Sequence, residues 1–353
     1  MGHRVVLLPG DGIGPEVTAA ASRVVDAAGV DIDWIPMKMG MAAFEDCGDA
    51  LPAEVVDAVV GCAVALKGPT TTPIGRGHRS ANVRLRRALD LYANVRPVKT
   101  VPGLETPYGK TDLVVIRENT ESLYAGLENE VAPGVVTSIK VITEAASTRI
   151  ARFAFEYARK WARRRITAVH KANIMKKADG LFLRCARDVS VEYVDRVRFD
   201  DVLVDALTMR MVSNPAQFDM LLLENLYGDI VSDLAAGLIG GPGLAPGANY
   251  GDEVAVFEAI HGSAPDIAGR GIANPIAIIL SAAMMCHHLG HTDSYVRIRK
   301  SVRTITRDHK DVLTPDLGGS GTTEAMTDAI VCEVRRRRKQ AAAGRDEEPE
   351  GDS

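Results

Sequence analysis

Aromatic residues are scarce in this chain: Phe, Trp and Tyr make up 5% of 353 residues, with two tryptophans. The core must therefore be built from aliphatic side chains. Cysteines number five, far apart at Cys47, Cys62, Cys185, Cys286 and Cys332, with no CxxC spacing. An odd, scattered set argues against a disulfide framework and against a structural zinc site. No apolar run approaches the ~18 residues that a membrane span needs. Charge does not lean either way, since 42 Lys and Arg face 46 Asp and Glu for a formal net charge of −4. That balance, with 46% hydrophobic and 25% charged residues, speaks against disorder and against a global nucleic-acid-binding charge. The N-terminus runs from Met1 into Val5–Leu8 without a basic flank or a small-residue cleavage site. It reads as a first strand and not as a signal peptide, so a cytoplasmic or matrix-type compartment is expected, the cytoplasm first.

What is present alternates β and α. The apolar run Val5–Leu8 is followed by Gly10-Asp11-Gly12-Ile13-Gly14, and then Pro15 and Glu16 open an alanine-rich helix through Ala28. Further strands are expected at 31–35, 63–66, 113–117, 166–169, 202–204, 220–223 and 254–257. Helices are expected around 52–60, over 143–163, over 275–287 and at 329–331. The stripe of Phe153 and Tyr157 on the 143–163 helix fits either core or a subunit interface. The Gly- and Pro-rich run 240–247 marks a domain crossing or an active-site loop. Beyond Val334, Arg335–Lys339 leads into an acidic end, expected to be a disordered tail over residues 335–353.

Five segments carry residues suited to chemistry. Asp229 and Asp233 stand four apart, so on a helix their carboxylates share one face and repel unless a cation lies between them. Hard oxygen ligands suit Mg²⁺ or Mn²⁺, and helix capping is the alternative use of such acids. Asp205, at the end of the 202–204 strand, is a candidate third ligand. In the second segment, Ser80 begins a helix carrying Asn82 and Arg86 one turn apart, with Arg96 ten residues beyond Arg86. A hydroxyl, a helix N-terminus and guanidinium forks there would suit a polycarboxylate, or form only a solvated basic helix. Arg84 and Arg87 fall on the other face and are expected to be solvated. The third and fourth segments are Arg117-Glu118-Asn119-Thr120-Glu121 with Tyr124, and His170-Lys171-Ala172-Asn173 after a strand. A Lys at a strand end can act as a base and a Tyr can donate a proton. The fifth, from Glu258 through His261, Gly262, Ser263, Ala264, Asp266 and Ile267 to Asn274, is a loop whose backbone amides suit a phosphate-bearing ligand. Gly10, Gly12 and Gly14 form GxGxG and not GxGxxG, so a Rossmann fingerprint is absent.

Together these segments closely resemble the β-decarboxylating dehydrogenases, the family of isocitrate, homoisocitrate and 3-isopropylmalate dehydrogenases. The resemblance spans Val5 to Val334. Ser80, Asn82, Arg86 and Arg96 look like the isocitrate pattern. Leu91–Pro97 and 142–183 look most like catalytic subunits of NAD-dependent isocitrate dehydrogenases, with Ala81 where that subfamily usually carries a larger aliphatic residue. The resemblance implies an α/β fold in two domains around a cleft, not a Rossmann fold. Residues 1–98 with 241–334 would form a large cofactor-binding domain, and 99–240 a small domain with the dimer interface. It also implies a homodimer with shared sites, in which Asp229 and Asp233 of one chain and Asp205 of its partner hold Mg²⁺ or Mn²⁺. Lys171, entering across the interface, would be the base, and Tyr124 the acid. Arg86, Arg96 and Arg117 would clamp substrate carboxylates beside Ser80 and Asn82. The cofactor would be NAD, held by Ile13, Thr72, Asn173, His261, Gly262, Ser263, Ala264, Asp266, Ile267 and Asn274.

The preference for NAD also has an electrostatic basis. Asp266 can accept both hydroxyls of an adenosine ribose, but it faces a 2′-phosphate as a like charge, at about 4 kcal/mol per charge pair at ~4 Å and a dielectric of ~20. The expected reaction is oxidative decarboxylation of isocitrate to 2-oxoglutarate and CO₂. The alternatives are the same chemistry on homoisocitrate, 3-isopropylmalate or an isocitrate-like phosphonate, or a non-catalytic regulatory subunit.

Overall fold

Strand β1 (His3–Leu8) shows how the sequence builds the sheet. Val5 packs into one core cluster while Val6 and Leu8 pack into another, on opposite faces of the strand. Burial on both faces is what a parallel strand under two helical layers requires. The structure, a computed structural model, describes residues 2–73 and 79–343.

The strands that follow are β2 (Ile32–Pro36), β3 (Val64–Lys67), β4 (Ala93–Lys99), β5 (Asp112–Glu118), β6 (Ser122–Ala132), β7 (Val135–Val141), β8 (Arg165–His170), β9 (Arg198–Leu203), β10 (Met220–Leu223), β11 (Pro246–Tyr250) and β12 (Ala255–Ala259). The helices are α1 (Gly14–Ala28), α2 (Met41–Cys47), α3 (Ala53–Cys62), α4 (Ala81–Ala88), α5 (Glu144–Lys160), α6 (Ala178–Ser190), α7 (Val204–Ser213), α8 (Asn225–Leu238), α9 (Ile276–His288), α10 (Thr292–Asp308) and α11 (Thr323–Ala342). Ten strands form one mixed sheet in the order β2-β1-β3-β12-β11-β4-β5-β10-β8-β9, and β6 and β7 form a separate hairpin. β11 pairs antiparallel with β12 and β4, and β4 antiparallel with β5, whereas the remaining pairs are parallel. A mixed sheet of this order is not the Rossmann arrangement.

Strands from residues up to 99 and after 246 occupy one half of the sheet, and strands from 112 to 223 the other. On one face a single core cluster runs across both halves, joining α1, α9, α10 and α11 to α7 and α8. On the opposite face the core splits in two, one part under α3 and α4 and the other under α5 and α6.

Phe153 and Tyr157 of α5 pack within the chain, Phe153 against Tyr92 and Tyr250 and Tyr157 against Trp161. The run 240–247 leads from α8 into β11, which begins at Pro246 in the other half of the sheet. One expectation is corrected. The tail is not disordered from residue 335, because α11 continues to Ala342. Ala, Arg, Lys and Gln are strong helix formers, and Arg336 and Arg337 each reach Glu333 one turn back, at 2.6 and 2.7 Å. The acidic end, from residue 344, lies outside the described residues. Among the described residues, no helix is long and apolar enough to cross a membrane.

Candidate active site

Several of the polar side chains singled out by the sequence lie where the parallel strands end and helices begin, the region in which open α/β sheets bind ligands. Arg117 lies near the end of β5, Lys171 follows β8, and Asp205 opens α7 after β9. Glu224 follows β10 and caps α8 by accepting from the backbone amides of Leu226 and Tyr227, each at 3.1 Å. That cap starts the helix that presents Asp229 and Asp233.

Arg117 is almost fully buried and crosses α8 at Gly228, where a Cβ would fall 2.4 Å from its side chain. Its guanidinium donates to Asn225 Oδ1 at 3.0 and 2.7 Å and pairs with Asp229. Tyr124 donates its phenol hydrogen to the other oxygen of Asp229, and the Arg117 guanidinium lies 5.1 Å from its ring centre. Arg96 donates to Ser232 and stands 3.6 Å from Asp229 and 3.7 Å from Asp233. Burial and the neighbouring Arg117 lower the Arg96 pKa to about 10. Burial pushes the Asp229 carboxyl up, but Arg117 and Arg96 outweigh it and hold the group ionised. Asp233 is raised, by burial first and by Asp229 beside it. Tyr124 is raised by burial and by its bond to Asp229, so the phenol keeps its proton at neutral pH.

Lys171 and Asp205 form a separate pair, 2.6 Å apart, with the Asp205 side chain 63% exposed. The Lys171 backbone is anchored by donation to Asp179 at 2.6 Å. His170 bonds to Asp201 at 3.0 Å, as a structural residue.

On the other side, Ser80 caps α4 by accepting from the Val83 amide at 3.4 Å, and Asn82 holds a buried amide oxygen without a partner among the described residues. Arg86 meets Glu258 at 2.7 Å. Arg84 is not simply solvated, because both arms of its guanidinium reach Asp49. Arg87 donates to the Ala125 carbonyl at 3.2 Å.

Lys67 and Glu258 are the residues that sequence reasoning gave no role. Lys67 Nζ lies 2.7 Å from one oxygen of Glu258, while Arg86 and Asn249 approach the other at 2.7 and 2.8 Å. Burial alone would raise the Glu258 pKa, yet the two cations hold it well below the usual carboxylate range. The available signal was a Lys and a Glu as the last polar residues of two apolar strands.

The loop after β12 and the loop after β1 meet closely. The Ile13 amide donates to Ser263 O at 2.9 Å, and a Cβ on Gly12, which has a φ of +59°, would come within 1.9 Å of that oxygen. Ile13, His261, Gly262, Ala264, Ile267 and Asn274 line one cavity of about 500 Å³ together with Gly243 and Asp316. His261 Nε2 is buried there without a partner among the described residues, and burial lowers its pKa. Ser263 sits behind, accepting from Thr71 at 2.7 Å, and Asn274 donates to Asp316 at 2.9 Å. Thr72, Asp266 and Asn173 are exposed and do not line this cavity, and Asn173 stands with Lys171 after β8.

The motifs thus resolve into a cluster of arginines around Asp229, a Lys171–Asp205 pair apart from it, and a cavity lined by the loop after β12. The family model for isocitrate/isopropylmalate dehydrogenase matches residues 4–330. The chain belongs to that family. Its relatives in the isocitrate/isopropylmalate dehydrogenase family include the mitochondrial NAD isocitrate dehydrogenase catalytic subunit 5 of Arabidopsis thaliana, 49% identical over 92% of this chain and 86% of that one. The mitochondrial NAD isocitrate dehydrogenase subunit alpha of Homo sapiens is 48% identical over 94% of this chain and 90% of that one. Among solved structures, the isocitrate dehydrogenase of Methylococcus capsulatus matches with a TM-score of 0.92 and 49% identity, covering 94% of this chain and 99% of that one.

Proposed function

We propose that the chain catalyses NAD-dependent oxidative decarboxylation of isocitrate to 2-oxoglutarate and CO₂, with Mg²⁺ or Mn²⁺, as a homodimer with shared sites. The observation that carries this reading is the gathering of Arg86, Arg96 and Arg117 close enough for each of the last two to feel the first electrostatically. Guanidinium forks match carboxylates, and a tricarboxylate offers one for each of the three, taken in exchange for part of their pairing with Glu258 and Asp229. Ser80 and Asn82, on the same helix as Arg86, add neutral polar groups for the third carboxylate.

The donor set suits a hard divalent cation. Asp229 and Asp233 present carboxylates one turn apart on α8, and a third would come from Asp205 of the partner subunit. Among the described residues of one chain, no three His, Cys, Asp or Glu side chains gather as ligands. The adjoining cavity suits the dinucleotide, with an orphaned His261 Nε2 facing it, and Asp266, exposed and next in sequence to the lining residue Ile267, would take the ribose hydroxyls. When bound, the cation supplies positive charge beside the reacting hydroxyl and NAD accepts the hydride.

The chain's own residues do the rest. Lys171 removes the hydroxyl proton, and Tyr124, protonated at neutral pH, returns a proton to carbon after CO₂ leaves. The three arginines hold the carboxylates in register for both steps.

In the same reading, residues 1–98 with 241–334 act as the cofactor-binding domain and 99–240 as the small domain that carries the dimer contacts. Supporting the dimer, Leu127, Val131, Val136 and Ile139 of the β6–β7 hairpin, with Met209 of α7 and Ile230 of α8, are exposed apolar side chains that a second copy would cover. A cytoplasmic location belongs to the same proposal.

The test is NADH formation by the purified chain alone, with Mg²⁺, on isocitrate, homoisocitrate, 3-isopropylmalate and a phosphonate analogue. Turnover of another acid but not isocitrate would overturn the substrate. No turnover of any would favour a regulatory subunit.

A further inference from the structure

A second cavity, of about 570 Å³, lies where β4, β5 and β11 meet the end of α5 and one side of α9 and α10. None of the residues given a role in substrate, cation or dinucleotide binding lines it. Its volume falls within the range of small-molecule pockets.

The walls combine aromatic rings with positive charge. The Trp161 ring lies 4.9 Å from His287, 5.8 Å from Tyr157 and 6.0 Å from Tyr295, tilted or edge-on in each case, so no ring is stacked flat on its indole. In a chain with two tryptophans and 5% aromatics, such a cluster is a local concentration. Five cationic side chains (Lys99, Arg163, Arg164, Arg299 and Arg303) line the cavity, against two carboxylates, Asp112 and Asp219. Those two acids are already neutralised. Asp112 pairs with Lys99 at 2.9 Å and Arg163 at 2.5 Å, and Asp219 with Arg163 at 2.9 Å. The Arg299 guanidinium lies 5.1 Å from the Tyr295 ring centre, and neither it nor the Arg164 guanidinium has a carboxylate partner among the described residues. The hydroxyls of Tyr157, Tyr250 and Tyr295 also lack hydrogen-bond partners among the described residues. Burial keeps Tyr157 and Tyr250 protonated, leaving them as neutral donors.

We infer that this cavity is a second ligand site, separate from the catalytic one, which takes a planar aromatic anion. Its ring would pack among Trp161, Tyr157 and Tyr295, and its carboxylate or phosphate would meet Arg299 and Arg164. Ring faces and unpaired guanidinium charge favour that combination over a ringless anion, which forgoes the packing, and over an aromatic cation, which the net positive charge repels.

The probes are 1-naphthoate and 1-naphthyl phosphate, titrated calorimetrically into the full chain, with inorganic phosphate and benzylamine for comparison. The expected result is saturable binding of at least one naphthyl anion, weakened roughly tenfold by Arg299→Ala, a loss on the scale of one charged hydrogen bond. Binding of both probes, or of either alone, separates phosphate from carboxylate preference and supports the site. Arg299→Ala leaves the carboxylate site untouched, so its NADH-forming rate reports folding independently. No saturable binding of either naphthyl anion would overturn the inference. So would equal binding of benzylamine, affinity unchanged by Arg299→Ala, or displacement of the probe by NAD or isocitrate.

Discussion

Lys171 Nζ lies 2.6 Å from Asp205 Oδ1, so within one chain the proposed base and the proposed third cation ligand neutralise each other. Asp229 meanwhile is held by Arg117 and Tyr124. In the proposed reading one chain carries two half-sites, each internally compensated, and bringing them together in a dimer would exchange these pairs for contacts with substrate and cation.

Sharing between subunits has a direct test. Lys171→Met and Asp229→Asn chains should each be inactive as homodimers. Co-expressed in equal amounts, they should regain about a quarter of wild-type activity, because half the dimers are mixed and each mixed dimer has one intact site. No recovery in isolated mixed dimers would rule out the shared site.

Lys171→Met alone should lower turnover by roughly 10²–10⁴-fold. Its ammonium is part-exposed and its backbone anchor to Asp179 is unaffected, so near-ultraviolet circular dichroism should be unchanged. A rate close to wild type would remove Lys171 from the mechanism.

Asp266→Lys combined with Ile267→Tyr should shift preference toward NADP, since the exposed carboxylate that repels a 2′-phosphate becomes a cation. The ratio of kcat/KM for NAD over NADP measures this. An unchanged ratio would contradict the ribose assignment.

Glu258→Gln should destabilise the fold by about 3 kcal/mol at neutral pH, because Lys67 and Arg86 lose a buried counter-charge. The Glu258 pKa is depressed in the folded state, so its contribution is complete above its unfolded value of about 4.5 and fades as pH falls toward the folded value. Urea unfolding of both proteins at pH 7 and in mild acid should show the difference narrowing below pH 4.5. A difference independent of pH would mean that lost packing and not charge accounts for the cost.

Cation removal should be visible without turnover. Mn²⁺ should raise the melting temperature of the chelator-treated wild type but not of Asp233→Asn, since Asp233 is the more exposed of the α8 pair, at 69% against 36% for Asp229. An equal rise in both would exclude Asp233 as a ligand.

Much of this is legible in the sequence. The alternation of strands and helices, the capped start at Ser80, and Asp229 with Asp233 on one face of α8 all follow from short-range rules: period, turn residues and helix spacing. So do the scattered free cysteines and the aliphatic core. The insertion of β11 between β4 and β12 was not legible, because pairing with distant segments decides it, whereas the β6–β7 hairpin and the extension of α11 carry local signals, a Pro-Gly turn and Glu333 one turn before Arg336 and Arg337. The same divide runs through the site. That Arg86, Arg96 and Arg117 are polar residues suited to carboxylates could be read from their types. That Arg86 shares Glu258 with Lys67, or that Arg117 lies over Gly228 to reach Asp229, depends on strand order, which brings residues more than a hundred positions apart within 3 Å. A buried charge takes its partner from whatever the sheet sets beside it, and no local pattern encodes that neighbour.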